Sequence, residues 1–386
     1  MDGGRFFGAF RACSGIKDAV VLNHVPVGCN WGTGMFKTIS NQPDVRHACT
    51  VMHEKEIIFG GEVALKKALK RADRHYDAPL LIVISGDVPN IIGDDVSAVI
   101  DSVSLQKEVI CVEAAGYKGF MRDGYEEALV QLSDRMKHVE QTKNSINLIG
   151  FCPDDFKASA DIMEMKRLMS EVGVKLNCVI SSCYWDEFVN APRAEVNVVL
   201  GQGEKLAMLM KKRFGLPYFK ADYPYGLEGT KKLLDAICDR LGNGHDTEIN
   251  LEPFERIYLY LHELYGTPIS VIGDFHAVSM ACFLKGELGF EIEALFNVED
   301  DYHAFEDAVK SSNSMILFGS SFERRLAQEL NIPLLRYVYP VFDQISIFDQ
   351  APYAGFRGAV FLTETILNAV MGFDDMINYE LEVTKV

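Results

Sequence analysis

Ala19-Val-Val-Leu-Asn-His-Val-Pro-Val-Gly-Cys29 is a short apolar run that closes on a Pro-x-Gly turn and a thiol, and Leu80-Leu-Ile-Val-Ile84 leads straight into Ser85-Gly-Asp-Val-Pro-Asn-Ile-Ile-Gly-Asp-Asp95. Between them lies His53-Glu-Lys-Glu-Ile-Ile-Phe-Gly-Gly61. The two apolar runs read as strands of a parallel α/β sheet. In such sheets ligands bind at the carboxyl ends of the strands, where loops and helix N-termini converge. Here that edge carries a thiol and a set of carboxylates.

Outward from these segments the chain alternates strand and helix, the pattern of α/β folds with parallel sheets. The first unit has strands expected near 19–22, 46–49, 80–84 and 108–112, with helices near 7–13, 57–74 and 124–138. A second unit opens at Ser145-Ile-Asn-Leu-Ile-Gly150 after a polar stretch, and a third near Pro268-Ile-Ser-Val-Ile-Gly273 after a long helix expected over about 253–265. Asn243-Gly-His-Asp246 is a breaker cluster between the two. The expected domains are 1–143, 144–245 and 246–386, the last closed by an apolar helix over about 358–371.

Composition narrows the function. The net charge of −17 argues against non-specific nucleic-acid binding, which needs basic surface to neutralise phosphate. No run of about 18 apolar residues predicts a membrane span, and Met1-Asp-Gly-Gly-Arg5 lacks the features of a signal peptide. A cytoplasmic location is expected. Nine dispersed cysteines without any Cys-x-x-Cys speak for reduced thiols, a few of them metal ligands, over a disulfide framework. No His-x-x-x-His supports a zinc hydrolase. Gly201-Gln-Gly203 lacks the third glycine of a dinucleotide fingerprint, and Gly226-Leu-Glu-Gly-Thr230 lacks the Gly-Lys-Ser/Thr of a phosphate loop.

The quoted segments, in this order and spacing, resemble the large-component subunits of nitrogenase and nitrogenase-like reductases. Ala191-Pro-Arg-Ala-Glu-Val-Asn-Val-Val-Leu200, Pro340-Val-Phe-Asp-Gln-Ile-Ser346 and Tyr353-Ala-Gly-Phe-Arg-Gly358 extend the resemblance over nearly the whole chain. It implies three Rossmann-like domains with parallel sheets flanked by helices around a central cleft. It also implies an iron–sulfur cluster, of the 4Fe-4S type or larger.

The resemblance sorts the candidate ligands. Cys29 stands in the family's Pro-x-Gly-Cys element, where a cluster cysteine belongs; the alternative is a buried structural thiol. Asp87 occupies the place of a second family cysteine, seven residues before Asp94. It is either an oxygen ligand to iron or a cap on the next helix. The family's first cluster cysteine would fall near Gly3 and Gly4, so Cys49, at another strand end, or Cys13, on the first helix, could take the vacant role. Cys183, beside Tyr184 and Trp185, reads as packing before ligand, as does Cys178; Cys111, Cys152, Cys238 and Cys282 read as core. No catalytic residue is assigned.

A cubane cluster usually takes four thiolates. This chain falls short, so the cluster is expected at the interface of a homodimer or of a heterodimer with a related large-component subunit. The family's cofactor-binding pair, one cysteine and one C-terminal histidine, has no counterpart in 342–352 or at the start of the third domain. The resemblance therefore implies an iron–sulfur subunit of a nitrogenase-like reductase that takes electrons from an ATP-dependent iron protein. Acidic Asp94 and Asp95 and the segment 30–36 are expected on the docking face. The alternative is a non-catalytic scaffold for metal-cluster or tetrapyrrole assembly, and a weaker one is a nicotinamide-dependent Rossmann enzyme.

Overall fold

The structure, a computed structural model, describes residues 3–39, 46–244 and 248–383. It contains three four-stranded sheets, all parallel, each with the same strand order. The first holds β1 (Ala19–His24), β2 (His47–Cys49), β3 (Leu80–Ser85) and β4 (Glu108–Glu113), ordered β2-β1-β3-β4. The second holds β5 (Ser145–Ile149), β6 (Lys175–Val179), β7 (Val196–Leu200) and β8 (Tyr218–Ala221), ordered β6-β5-β7-β8. The third holds β9 (Pro268–Gly273), β10 (Glu291–Asn297), β11 (Ile316–Gly319) and β12 (Leu334–Arg336), ordered β10-β9-β11-β12. In every sheet the order reverses at the first strand, which opens a crevice between the carboxyl ends of the first and third strands.

By internal packing, residues 3–154 with 174–221 form one compact unit and residues 155–173 with 222–383 form another. The first unit carries the first two sheets. Its helices are α1 (Gly4–Ser14), α2 (Val27–Ile39), α3 (Glu54–Phe59), α4 (Glu62–His75), α5 (Asp87–Ile92), α6 (Val96–Asp101) and α7 (Met121–Leu132) around the first sheet. The central strands β1 and β3 are buried along their whole length because helices cover both faces. On one face Phe6, Ala9, Phe10 and Cys13 of α1 and Tyr125, Ala128 and Leu129 of α7 pack against Val21, Ile82 and Ile84. On the other, Leu65 and Leu69 of α4 and Val96 and Val99 of α6 pack against Leu22 and Val83. α1 and α7 cross so closely that a Cβ on Gly8 would sit 1.8 Å from the Met121 carbonyl and one on Gly124 1.9 Å from that of Arg5.

The other helices are α8 (Ala158–Glu171), α9 (Trp185–Val189), α10 (Glu204–Phe214) and α11 (Gly226–Leu241), then α12 (Glu252–Glu255), α13 (Tyr258–Leu264), α14 (His276–Gly286), α15 (Tyr302–Ser311), α16 (Arg324–Leu330) and α17 (Gly355–Val383). Of these, α9 and α10 complete the first unit, and the rest belong to the second with the third sheet. Among the described residues no helix is long and apolar enough to cross a membrane.

Several element boundaries differ from the sequence expectation. The helix expected over 57–74 is two helices, because Gly60 lies at φ +97 and the Gly61 N–H bonds to Asp94 and not to a preceding turn. The long helix expected over 253–265 is also two short ones. The break falls at Arg256 and Ile257, between α12 and α13, although Leu264 is buried and Tyr258, Leu259 and Tyr265 are exposed. Cys29 is not at a strand end: β1 stops at His24 and the thiol rides on the first turn of α2. Cys282, expected in the core, is exposed on α14.

Candidate metal centre at the edge of the first sheet

Three sequence candidates meet at the carboxyl edge of the first sheet. Cys29 is on α2, which follows β1; Asp87 opens α5, which follows β3; Cys49 ends β2. The crevice between β1 and β3 thus receives Cys29 from one side and Asp87 from the other. All three side chains are half-buried. Burial pushes the Cys29 thiol above its ordinary range, and the Asp87 carboxylate pushes it further. Burial likewise raises Cys49, against the hydrogen bonds of its sulfur, with Cys29 adding to the rise. Both thiols thus hold their protons more firmly than a free cysteine, and a bound cation would favour the thiolates.

Each donor is held by its backbone. Asp87 does not cap α5. Its Oδ1 accepts the N–H groups of Gly116 and Tyr117, the latter at 3.3 Å, and so fixes the turn after β4. Cys49 Sγ lies 3.2 Å from the Val51 N–H and 3.5 Å from the Val25 carbonyl. Val51 has φ +56, a strained conformation for a β-branched side chain. It is held there from both sides, since Thr50 N–H bonds to Asn23 O at 3.0 Å and Met52 N–H to Val25 O at 3.2 Å. Strain of this kind gathers at functional sites.

Cys13 takes no part in that coupling. It is fully buried among the apolar side chains of α1 and the sheet, and burial alone pushes its thiol up. Cys178 and Cys183 are buried and hydrogen-bonded to each other within the core. Cys111 is only half-buried, and burial followed by Glu113 pushes it to about 12. Among the described residues no trio drawn from Cys13, Cys29, Cys49 and Asp87 brings its donor atoms within 4.8 Å of one another.

Asp94 and Asp95, expected on the docking face, also make contacts within the chain. Asp94 receives the Gly61 N–H at 3.0 Å and faces His24 Nε2 at 3.1 Å, while His24 Nδ1 faces the Thr50 hydroxyl at 3.1 Å. Burial holds His24 below the usual histidine range in spite of Asp94. A neutral ring donating from Nε2 to Asp94 and accepting from Thr50 satisfies both contacts. A Cβ on Gly61 would come within 2.6 Å of Asp94 and 2.8 Å of His24, so a side chain there would push the pair apart. The network ties the loops after β1, β2 and β3 to the start of α4. Asp95 caps α6 by accepting the Ala98 N–H at 2.9 Å. The pairing of His24 with Asp94 had no local signal, because the partners are 70 residues apart.

Asn23, buried on β1, donates to Asn30 Oδ1 on the first turn of α2 at 3.1 Å and so sets that turn's position. Its own Oδ1 is buried without a hydrogen-bond partner among the described residues. Large apolar side chains on the elements that follow these strands stand exposed: Trp31 at 76%, Ile58, Phe59, Ile91 and Tyr117.

Against known proteins, the family described as Nitrogenase component 1 type Oxidoreductase matches residues 5–297 and 293–371. A nitrogenase iron-molybdenum cofactor biosynthesis protein NifE from Clostridium pasteurianum is 29% identical, covering 81% of this chain and 72% of its own. The nitrogenase molybdenum-iron protein alpha chain of Methanothermobacter marburgensis is 26% identical over 98% of this chain and 89% of its own. A light-independent protochlorophyllide reductase chain from Prochlorococcus marinus is 24% identical over 97% of this chain and 81% of its own. A solved structure of nitrogenase Cp1 at pH 6.5 superposes with a TM-score of 0.82 at 19% identity, covering 96% of this chain and 92% of that one, a likeness of fold.

Proposed function

The chain belongs to the nitrogenase component 1 type oxidoreductases, and we propose that it is an iron–sulfur subunit of a nitrogenase-like reductase. It accepts electrons from an ATP-dependent iron protein and passes them to a substrate or to a cofactor held by a partner. The observation that carries this reading is the placement of Cys29, Asp87 and Cys49 on the elements at the carboxyl ends of β1, β3 and β2, at the switch point of the first sheet. Two thiols and a carboxylate suit iron, with the carboxylate as the harder donor. Cys29 and Asp87 are the principal ligands in this reading and Cys49 the third. A cluster bound there supplies one-electron storage and transfer.

Three donors from one chain fall short of the usual four. The remainder come from a second subunit, either another copy or a related chain. The exposed Trp31, Ile58 and Ile91 support this, since a cluster needs apolar cover on every side and this edge supplies one side only. The location we infer is cytoplasmic. The test is anaerobic purification with all partners, followed by iron and acid-labile sulfide analysis. Iron-free wild-type assembly would end the cluster reading.

A second reading is a scaffold for cofactor assembly, favoured by the similarity to a cofactor biosynthesis protein and by the absence of the cysteine–histidine pair. Dithionite and an iron protein separate the two: a reductase turns over substrate, and a scaffold holds its cluster without turnover.

A further inference from the structure

We infer that the groove between β2 and α4 is a binding site for an organic anion with an apolar body. The groove has a volume of about 670 Å³, in the range of small-molecule sites. Cys49 lies on its floor, Phe59 and Val63 form an apolar wall, and Lys67, Arg71 and His75 line it along α4. The wall residues are 81% and 67% exposed, an unfavourable state for apolar side chains that an apolar ligand would relieve.

The charge pattern is the second argument. The chain as a whole carries −17, yet this groove is lined by Lys55, Lys67, Arg71 and His75 against a single acid, Glu56. That acid is already engaged, because its Oε2 accepts the His53 N–H at 3.1 Å. Lys67 and Arg71 have no ion-pair partner among the described residues. The neighbouring basic row on the same helix is used internally: Lys66 bonds to the Ser102 hydroxyl at 3.3 Å and Arg74 to the Lys70 carbonyl at 3.2 Å. Val63, Lys67, Arg71 and His75 follow one another at four-residue steps on α4, so exposed apolar side chains and exposed cations form one continuous row along the groove.

Lys67 and Arg71 are one helical turn apart, so they suit two acidic groups spaced about 6 Å along the ligand. The Arg71 guanidinium suits a carboxylate or sulfonate bidentately. The apolar body then lies along Phe59 and Val63, with the acidic groups further along the same row at Lys67 and Arg71. This assignment stands whether or not Cys49 holds iron.

The test uses the full-length protein and two fluorescent probes: anilinonaphthalene sulfonate, and phenyl-naphthylamine, which has the same rings without the charge. The sulfonate is expected to bind at one saturable site, weakened about tenfold or more by Lys67→Glu with Arg71→Glu, since each lost charge-assisted contact is worth about that factor. Lys70→Glu with Lys212→Glu changes the net charge equally from outside the groove and is expected to leave binding within about twofold. Equal weakening by both pairs would reduce the effect to the protein's overall field and overturn the site. So would sulfonate binding unaffected by the groove pair, or an uncharged probe that binds as tightly as the sulfonate.

Discussion

The carboxyl edge of the first sheet and the buried polar core of the second unit both gather titratable side chains, and they treat them in opposite ways. In the second unit, Asp161 on α8 is fully enclosed. Its Oδ1 accepts the N–H groups of Tyr353 at 2.6 Å and Ala354 at 2.9 Å, and its Oδ2 accepts the Tyr223 hydroxyl at 2.7 Å. His276 pairs with Asp274 at 2.6 Å and meets the Tyr223 ring at 4.4 Å. Lys157 lies 4.9 to 5.5 Å from the centroids of Phe361, Phe156 and Tyr353. Asp161, the centre of this core, has both of its oxygens taken by partners inside the protein. At the sheet edge Cys29, Asp87 and Cys49 are half-exposed, and the contacts of Asp87 and Cys49 are to backbone groups of neighbouring loops and not to an enclosing core. A cluster of buried acids and histidines can be a clamp for backbone loops, whereas a looser set with unused donor capacity is a place for a ligand.

Cys29→Ala breaks the comparison most directly. It is expected to remove most of the bound iron and sulfide from the anaerobically assembled protein while leaving its melting temperature nearly unchanged. Asp161→Ala is expected to do the reverse, costing ~3 kcal/mol of stability at pH 5 by leaving three donors unsatisfied, with the iron content per folded protein retained. Iron loss in Asp161→Ala equal to that in Cys29→Ala would show that the two regions are not functionally separate.

The pH dependence sharpens the contrast. Burial raises the Asp161 carboxyl to about 6, even though Ala354, Tyr223 and Tyr353 donate to it. A raised carboxyl binds its proton more tightly folded than unfolded. Its contribution is therefore complete below the ordinary carboxyl range and lost as pH rises through about 6, a difference on the order of 3 kcal/mol. Asp161→Asn should flatten that slope in chemical denaturation between pH 4 and 7. An unchanged slope would mean that another group carries it.

The two buried histidines carry opposite signs. Burial pulls His276 down, but Asp274, followed by Asp155 and Asp161, outweighs it and leaves the ring raised. Its contribution is full below the ordinary histidine value and lost as pH rises through the raised one. His24 is lowered, so its contribution is present above the ordinary value and lost as pH falls below it. His276→Gln and His24→Gln are thus expected to change the pH slope of stability in opposite senses, and NMR titration of the ring protons would check each direction. The smallest effect belongs to Val51. Replacing it by glycine frees the left-handed backbone beside Cys49 and should stabilise by about 1 kcal/mol in thermal melts. Destabilisation would mean that the side chain packs in a way that outweighs its strain.

Sequence by itself determined the α/β class, the three parallel sheets and the edge at which to look, because apolar strand runs, turn residues and their spacing are local signals. It also pointed to Cys29, through the Pro-x-Gly turn that ends the first strand run. It did not determine that Cys29 stands on a helix, that Gly60 and Gly61 split a helix in two, or that Asp87 grips the turn at Gly116, since each depends on what a distant backbone group offers. Asp94 and Tyr353-Ala-Gly-Phe-Arg-Gly358 stood out in the sequence with no internal partner attached. The fold shows them serving His24, Gly61 and Asp161, through contacts that span 33 to 193 residues. Only tertiary structure decides which polar groups are consumed by such contacts and which, like Cys29, Asp87 and Cys49, are left half-open, because satisfaction of a buried polar group is a property of the whole packing around it.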